Sequence, residues 1–383
     1  MLRTRLQKYT PYLIAGILLS ASCAQAGYLK STASDGATAN GYQATAYNAG
    51  ALGDFDIQGH FMLKGGLGVF GGVNAIVDVD GISNGPLSLL ATNAVIKLSG
   101  DLRLGSTASF SLPNGTSLST NEGFATPNGN RRIVMSNNIT IGTSSLQKNL
   151  NLTTGGTDLT IDGQGNKLTL LHDSTINLRT GASLTLKNMI LELESTITTT
   201  GHFNTAASGN TITLENVTVR GKNNGTAVTG ITGACALIIR GRVRYESPGT
   251  TITLKSSAGP QTITIDKNST LYVGPNTKFR MQELADRVTG ITMTDQTSTL
   301  HLNGCDFYLG PTNASGFNIT KGTVILENQV RIFDCDIGSE TTPNSDMTRG
   351  LILGDGTATN DVNVRLLSDA YVTVDGCLQY KHS

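Results

Sequence analysis

One spacing rule recurs five times in this chain and constrains its fold more than any other feature: apolar residues at i, i+2, i+5 and i+7, with Asn, Asp or Gly at i+4. Leu184, Leu186, Met189 and Leu191 surround Asn188, and Ile212, Leu214, Val217 and Val219 surround Asn216. Three later copies put cysteine at i+5. They are Leu300, Leu302, Cys305 and Phe307 around Gly304, then Val330, Ile332, Cys335 and Ile337 around Asp334, and last Val372, Val374 and Cys377 around Gly376, where polar Gln379 ends the pattern. Apolar residues two apart share one face of a strand, so the step from i+2 to i+5 marks a corner between two short strands. In each copy the corner residue is one that tolerates a left-handed backbone.

The copies start at 184, 212, 300, 330 and 372, so successive starts differ by 28, 88, 30 and 42 residues. A unit of just under thirty residues fits these intervals, with outward loops where they run over, and a period of that size belongs to a solenoid. Helical periodicity is almost absent, with Gln282 to Arg287 the one short candidate. Alternating runs dominate, as at 138–141, 159–161, 251–254 and 262–265, and 45 glycines without a single tryptophan supply turn chemistry throughout. The expected fold is all-β, a parallel β-solenoid whose inward side chains stack from coil to coil. At about 4.8 Å per coil, roughly a dozen coils would make a rod roughly 60 Å long.

The stretch Leu159 to Leu191, LTIDGQGNKLTLLHDSTINLRTGASLTLKNMIL, resembles the coils of right-handed parallel β-helix proteins of the pectin-lyase-like superfamily, most closely at 161–165 and 181–188. The resemblance spans residues 60–377 as architecture and implies a right-handed, single-stranded parallel β-helix. It also implies two catalytic arrangements to look for. One is a calcium site of clustered acids with an outward arginine or lysine as base; the other is a set of Asn-Thr-Asp, Asp-Asp, Gly-His-Gly and Arg-Ile-Lys motifs on successive coils. None of those four motifs is present, and Gly201-His202-Phe203 lacks the second glycine. No catalytic residue carries over, and a fold of this kind sets only a prior on function.

Residues 1–26 have the three parts of a secretory signal: Arg3, Arg5 and Lys8, the apolar run Leu13 to Leu19, and Ala24-Gln25-Ala26 before Gly27. Export to the extracellular space or cell surface, or to a periplasm, is therefore expected. The apolar run is too short to span a bilayer, and no transmembrane anchor is expected elsewhere. Residues 27–59 read as a low-complexity linker or irregular N-terminal cap, and 60–383 as one β-helix domain. Phe61 to Val69 is a candidate cap or first coil, and the charged tail Tyr380 to Ser383 is expected to close the other end. Lipidation at Cys23 is disfavoured because Ser20-Ala21-Ser22 lacks an aliphatic residue three before it.

Cys235, Cys305, Cys335 and Cys377 remain after cleavage. The last three share the inward i+5 slot, so the reading is buried thiols in preference to a Cys305–Cys335 bridge across stacked coils. Asp306 and Asp336 share the i+6 slot, with Asp334 at the corner beside the second. Stacked like charges repel unless a cation or a base lies between them; calcium is one answer and Arg331 the other. Arg240, Arg242 and Arg244 alternate with Ile239, Gly241, Val243 and Tyr245, so one strand is expected to carry three outward arginines. These would bind carboxylates or sulfates of an anionic polysaccharide, or pair with acids of flanking coils. With 28 basic and 28 acidic residues, nucleic acid is excluded as a natural partner. His301 is expected at the surface, and Asp162 in a turn that accepts backbone N–H groups.

These residues support a secreted, non-enzymatic, adhesin-like surface protein without a cofactor, whose partner is a surface protein or a polysaccharide. The alternatives are a polysaccharide lyase or hydrolase with an unusual site, and an inert structural component of an extracellular layer.

Overall fold

The structure is a computed structural model that describes residues 133–381 apart from connecting segments, the longest of them 255–261, 281–289, 310–316 and 334–349, and gives strand backbone alone before residue 133. Among the described residues all regular structure is β-strand, and every strand pairing is parallel except the antiparallel one of Lys30–Ser31 with Asp54–Asp56. Parallel strands stack as a β-solenoid with three sides, here called A, B and C. Residues 1–26, read from the sequence as a secretory signal, lie outside the described residues.

One circuit shows the construction. Asp158–Asp162 runs along side A, turns through 163–166, continues as Lys167–Leu170 on side B, and then as Ser174–Leu178 on side C. The next circuit stacks on it in register, with Leu159 on Leu184, Ile161 on Leu186 and Leu168 on Leu191. Strand Ser183–Leu193 covers sides A and B in one piece because it bends at Asn188, whose φ of 52° is the left-handed conformation the spacing rule requires. Asn216 does the same at φ 54°.

Period-two alternation of apolar residues produces long single-file rows inside the solenoid. On side B, Leu168, Leu191, Val219, Tyr245, Val273, Leu302 and Leu326 stack one on the next and are all buried. On side C the row runs Ile252, Phe279, Phe307, Ile332 and Val374. The rings of Phe279 and Phe307 stack at 5.7 Å with an interplanar angle of 11°. Each such side chain contributes about 1.5–3 kcal/mol by leaving water.

The corners carry ladders of their own. Asn188 Nδ2 donates to Asp162 Oδ1 at 3.2 Å, Asn216 Nδ2 donates to Asn188 Oδ1 at 3.4 Å, and Asn216 Oδ1 accepts the Arg242 backbone N–H at 3.0 Å. Gly241 closes this column at φ 60°, and a Cβ there would sit 2.1 Å from Asn216 Oδ1. Glycine is needed because the amide below fills the space.

One expectation is corrected. The five copies of the spacing rule do not mark one corner: Asn188 and Asn216 turn side A into side B, whereas Gly304 turns side B, Thr299–Asn303, into side C, Asp306–Tyr308. The interval from 219 to 300 holds three regular circuits, seen on side B at Arg242–Tyr245, Thr270–Val273 and Thr299–Asn303. Fewer coils are described than the dozen expected from chain length. At the C-terminal side Tyr380 ends the strand Cys377–Tyr380 beside Leu353 and is half-exposed, its hydroxyl donates to the Val362 carbonyl at 3.1 Å, and the Lys381 N–H donates to the Leu353 carbonyl; His382 and Ser383 lie outside the described residues.

Candidate functional site

The three arginines do not share one strand. Leu214 stacks on Ile239 and Val219 on Tyr245, so the corner that uses one residue at Asn216 uses one more here, at Gly241. Arg240 therefore stands on side A, and Arg242 and Arg244 on side B. Arg240 Nε donates to Asp266 Oδ2 at 2.8 Å, within an outward row of alternating sign formed by Asp162, Lys187, Glu215, Arg240 and Asp266. Arg244 is paired with Glu246, which also takes Arg220 at 3.4 Å, and its guanidinium lies 4.6 Å from the Tyr272 ring centroid. Arg242 has no carboxylate partner among the described residues and lies 6.0 Å from the same ring. Arg240 is thus paired with an acid of the next coil, and Arg244 with one two residues along its own chain.

The Asp306–Asp336 pair is overturned by register. Asp306 stacks between Lys278 and Arg331, not against another acid. Arg331 Nε donates to Asp306 Oδ1 and Arg331 Nη2 to Oδ2, both at 2.6 Å, a bidentate pair that engages both carboxylate oxygens. Asp306 is only 8% exposed, so the guanidinium both neutralises and covers it. Asp334 and Asp336 lie outside the described residues, and among those described no three His, Cys, Asp or Glu side chains converge to hold a metal ion. Cys305 lies beside Val330, since the next residues, Asp306 and Arg331, are in register; it does not stack on Cys335. Cys305 is a free buried thiol, pushed up to about 12 by burial, and so is Cys235. Cys335, Gly376 and the side chain of Cys377 lie outside the described residues.

Around Asp306 the fold builds a polar groove of about 560 Å³. Its first flank is the corner between sides B and C, where Asn276, Gly304 and Asn328 are left-handed at φ 55°, 52° and 57°. Its other flank is the outward row Lys278, Asp306, Arg331 on side C, with Gln329 at one end. Gly304 interrupts the asparagine column, and a Cβ there would meet only ordinary contacts, 3.6 Å to Asn328 Cβ, so the absence of a side chain leaves a notch in the floor. Asn328 is held by donating to Asn303 Oδ1 at 2.8 Å, and Asn303 donates in turn to Glu327 and to the Tyr272 hydroxyl. Because Asp306 is spent on Arg331, the Lys278 ammonium, with no ion pair among the described residues, is the uncompensated charge of the groove. The arrangement offers one cation and several amides, the equipment for holding hydroxyl and carboxylate groups; it contains no nucleophile poised beside a base.

His301 and Asp162 stand as expected from the sequence. His301 Nε2 meets Glu327 Oε2 at 2.9 Å on the outer face. Asp162 accepts the Gln164 N–H at 3.3 Å; burial opposes its charge, but the bonds from Asn188 and Gln164 and the Lys187 ammonium hold its carboxyl below the usual range. Sequence reasoning missed Lys278. Its signal was the recurrence of a polar, an apolar and a long side chain at 278–280, 306–308 and 331–333. His202 was also missed as a structural group: it is fully buried, with Nδ1 3.0 Å from the Ser174 carbonyl and Nε2 against the Glu194 carbonyl.

Comparison with family models, curated proteins and solved structures finds no match to this chain.

Proposed function

We propose that this chain is an exported, non-enzymatic β-helix protein of the pectin-lyase-like kind that holds a polysaccharide or a glycan-bearing surface partner along the corner between sides B and C. The observation that carries this reading is the neutralisation of Asp306. The one carboxylate of the groove is engaged through both oxygens by Arg331, so the groove offers donors for sugar hydroxyls and carboxylates around an acid already held in an ion pair. Lys278 and the amides of Asn276, Asn328 and Gln329 are the contacts assigned to the ligand. The basic, apolar and small-residue segments of 1–26 support export. A chain of balanced charge leaves no role for nucleic acid.

The test passes the purified chain over neutral and anionic polysaccharides, with and without calcium, and measures retention and released fragments together. Retention without fragments, weakened at least several-fold by Lys278→Ala, is the expected result. Fragment release would replace this reading with the lyase or hydrolase alternative. Retention that is indifferent to Lys278 would move the contact to another face.

A further inference from the structure

A chain of hydrogen bonds fixes the direction of one acceptor at the edge of the groove. The Glu327 carboxylate can only accept, so the nitrogen of Asn303 must be the end that faces it: Asn303 Nδ2 donates to Glu327 Oε2 at 2.9 Å and to the Tyr272 hydroxyl at 3.0 Å. Asn303 Oδ1 is thereby turned to Asn328, whose Nδ2 donates to it at 2.8 Å. The exposed Asn328 amide, which lines the groove, is left with its oxygen, and that oxygen has no partner among the described residues. An amide orientation that is ambiguous for an isolated asparagine is set here by a carboxylate two hydrogen bonds away.

The neighbouring coil does not use that oxygen. At the corner between sides A and B the amides stack, Asn216 Nδ2 donating to Asn188 Oδ1. At the corner between sides B and C the column passes from Asn276 through Gly304 to Asn328, so it lacks a side chain in the middle and a notch opens between the two asparagines, roughly 10 Å apart across two coil steps. The wall of the notch is apolar: a Cβ at Gly304 would lie 3.7 Å from Pro275 Cα and Cβ and 3.6 Å from Asn328 Cβ. The Asn276 amide is exposed and unpaired among the described residues, and Lys278 follows two residues on, about 7 Å along the chain.

We infer that the notch admits an acetamido group, and that the saccharide of this groove is an acidic one carrying N-acetylated sugars; the inference rests on the reading that the groove holds a saccharide. Each part of the group has a counterpart. Its N–H donates to Asn328 Oδ1, its carbonyl accepts from the Asn276 amide, and its methyl lies against Pro275. Lys278 takes a carboxylate on the same or the neighbouring ring. An ester acetyl has no N–H for Asn328, and a hydroxymethyl group has no methyl for Pro275, so neither satisfies the notch as fully. Gly304 is thereby a specificity-determining position, because any side chain there fills the space the acetyl methyl needs.

The test measures the affinity of the full chain, by calorimetry, for oligosaccharides of matched length: hyaluronan, which has carboxylates and acetamido groups, oligogalacturonate, which has carboxylates alone, and chitin oligosaccharide, which has acetamido groups alone. Hyaluronan is expected to bind about tenfold more tightly than either, the ratio that one hydrogen bond with a sheltered methyl, or one paired carboxylate, supplies. Gly304→Ala, with native circular dichroism as its control, is expected to bring hyaluronan down to oligogalacturonate and to leave oligogalacturonate unchanged. The comparison among ligands needs no variant, so it stands even if Gly304→Ala fails to fold. Equal affinities for hyaluronan and oligogalacturonate, both weakened by Lys278→Ala, would overturn the inference and leave the groove reading standing. Chitin oligosaccharide bound as tightly as hyaluronan, or a hyaluronan preference that a folded Gly304→Ala does not move, would overturn it as well. Binding of none of these probes would overturn the inference, and the groove reading falls with it only if the wider polysaccharide panel also shows no retention sensitive to Lys278.

Discussion

The corner at Gly241 gives a quantitative handle on how the solenoid turns. Replacing Gly241 by alanine adds a Cβ in a left-handed backbone at φ 60°, 2.1 Å from Asn216 Oδ1 and 2.9 Å from its Cγ. The left-handed conformation costs about 1–2 kcal/mol for a residue with a Cβ. The clash then drives the Asn216 amide out of place, and its bonds to the Arg242 N–H and to Asn188 go with it, a further loss of about 1 kcal/mol each. Gly304→Ala has the same backbone cost at φ 52° but meets no contact closer than 3.6 Å. The expected penalties are therefore about 3–4 kcal/mol for Gly241→Ala and about 1–2 kcal/mol for Gly304→Ala. Shifts in the guanidinium midpoint at constant slope measure both. A double-mutant cycle sharpens the test. In an Asn216→Gly background the obstructing amide is gone while the left-handed corner is kept, so Gly241→Ala should fall to its backbone cost, a coupling of about 2 kcal/mol. Equal penalties at 241 and 304, or a coupling near zero, would refute the steric account of the corner.

Three further outcomes follow from packing and burial. Phe307→Ala, in the middle of the side C aromatic row, should cost about 3–5 kcal/mol in the same denaturation assay. Burial pushes the His202 imidazole below its ordinary 6.5, opposed by the facing carbonyls of Glu194 and Ser174. The unfolded chain therefore takes up a proton that the folded chain refuses, and stability should fall as pH drops below about 6.5. Glu194, carried down to about 2 by bonds from His172 and Lys222 that outweigh its burial, contributes stability that is lost only below its unfolded value of 4.5. Between pH 6.5 and 4.5 the difference in slope between wild type and His202→Gln thus reports the histidine, and identical slopes would contradict its depression. Cys305, buried and raised to about 12, should react with a thiol reagent no faster than the rate of unfolding; rapid modification of the native chain would mean the corner opens.

The architecture was legible because a corner leaves a mark in residue spacing. A three-residue step between apolar pairs, with Asn or Gly inside it, is hard to reconcile with a continuous strand, and the left-handed φ at Asn188, Asn216 and Gly304 agrees with that reading. What spacing does not encode is which corner is being turned. Leu300 shares its slot with Val330, yet it stacks on Val324, a side away, so the inferred stacks of Cys305 on Cys335 and Asp306 on Asp336 dissolved. The arginine stripe was misread for a related reason. A corner with a four-residue step between apolar pairs, Ile239 to Val243, preserves the even period and is indistinguishable from an unbroken strand. The groove was illegible because Lys278, Asp306 and Arg331 meet through register across loops of unequal length, 28 and then 25 residues apart, with no fixed motif joining them.

The central claim is that the corner between sides B and C holds a saccharide without cleaving it. Amide exchange of the full chain with and without a retained oligosaccharide, with the sugar's mass followed in the same tube, tests it most directly. The account predicts protection confined to segments around Asn276–Lys278, Gly304–Asp306 and Asn328–Arg331, and a sugar of unchanged mass. Protection on another face, or shortening of the sugar, would contradict it.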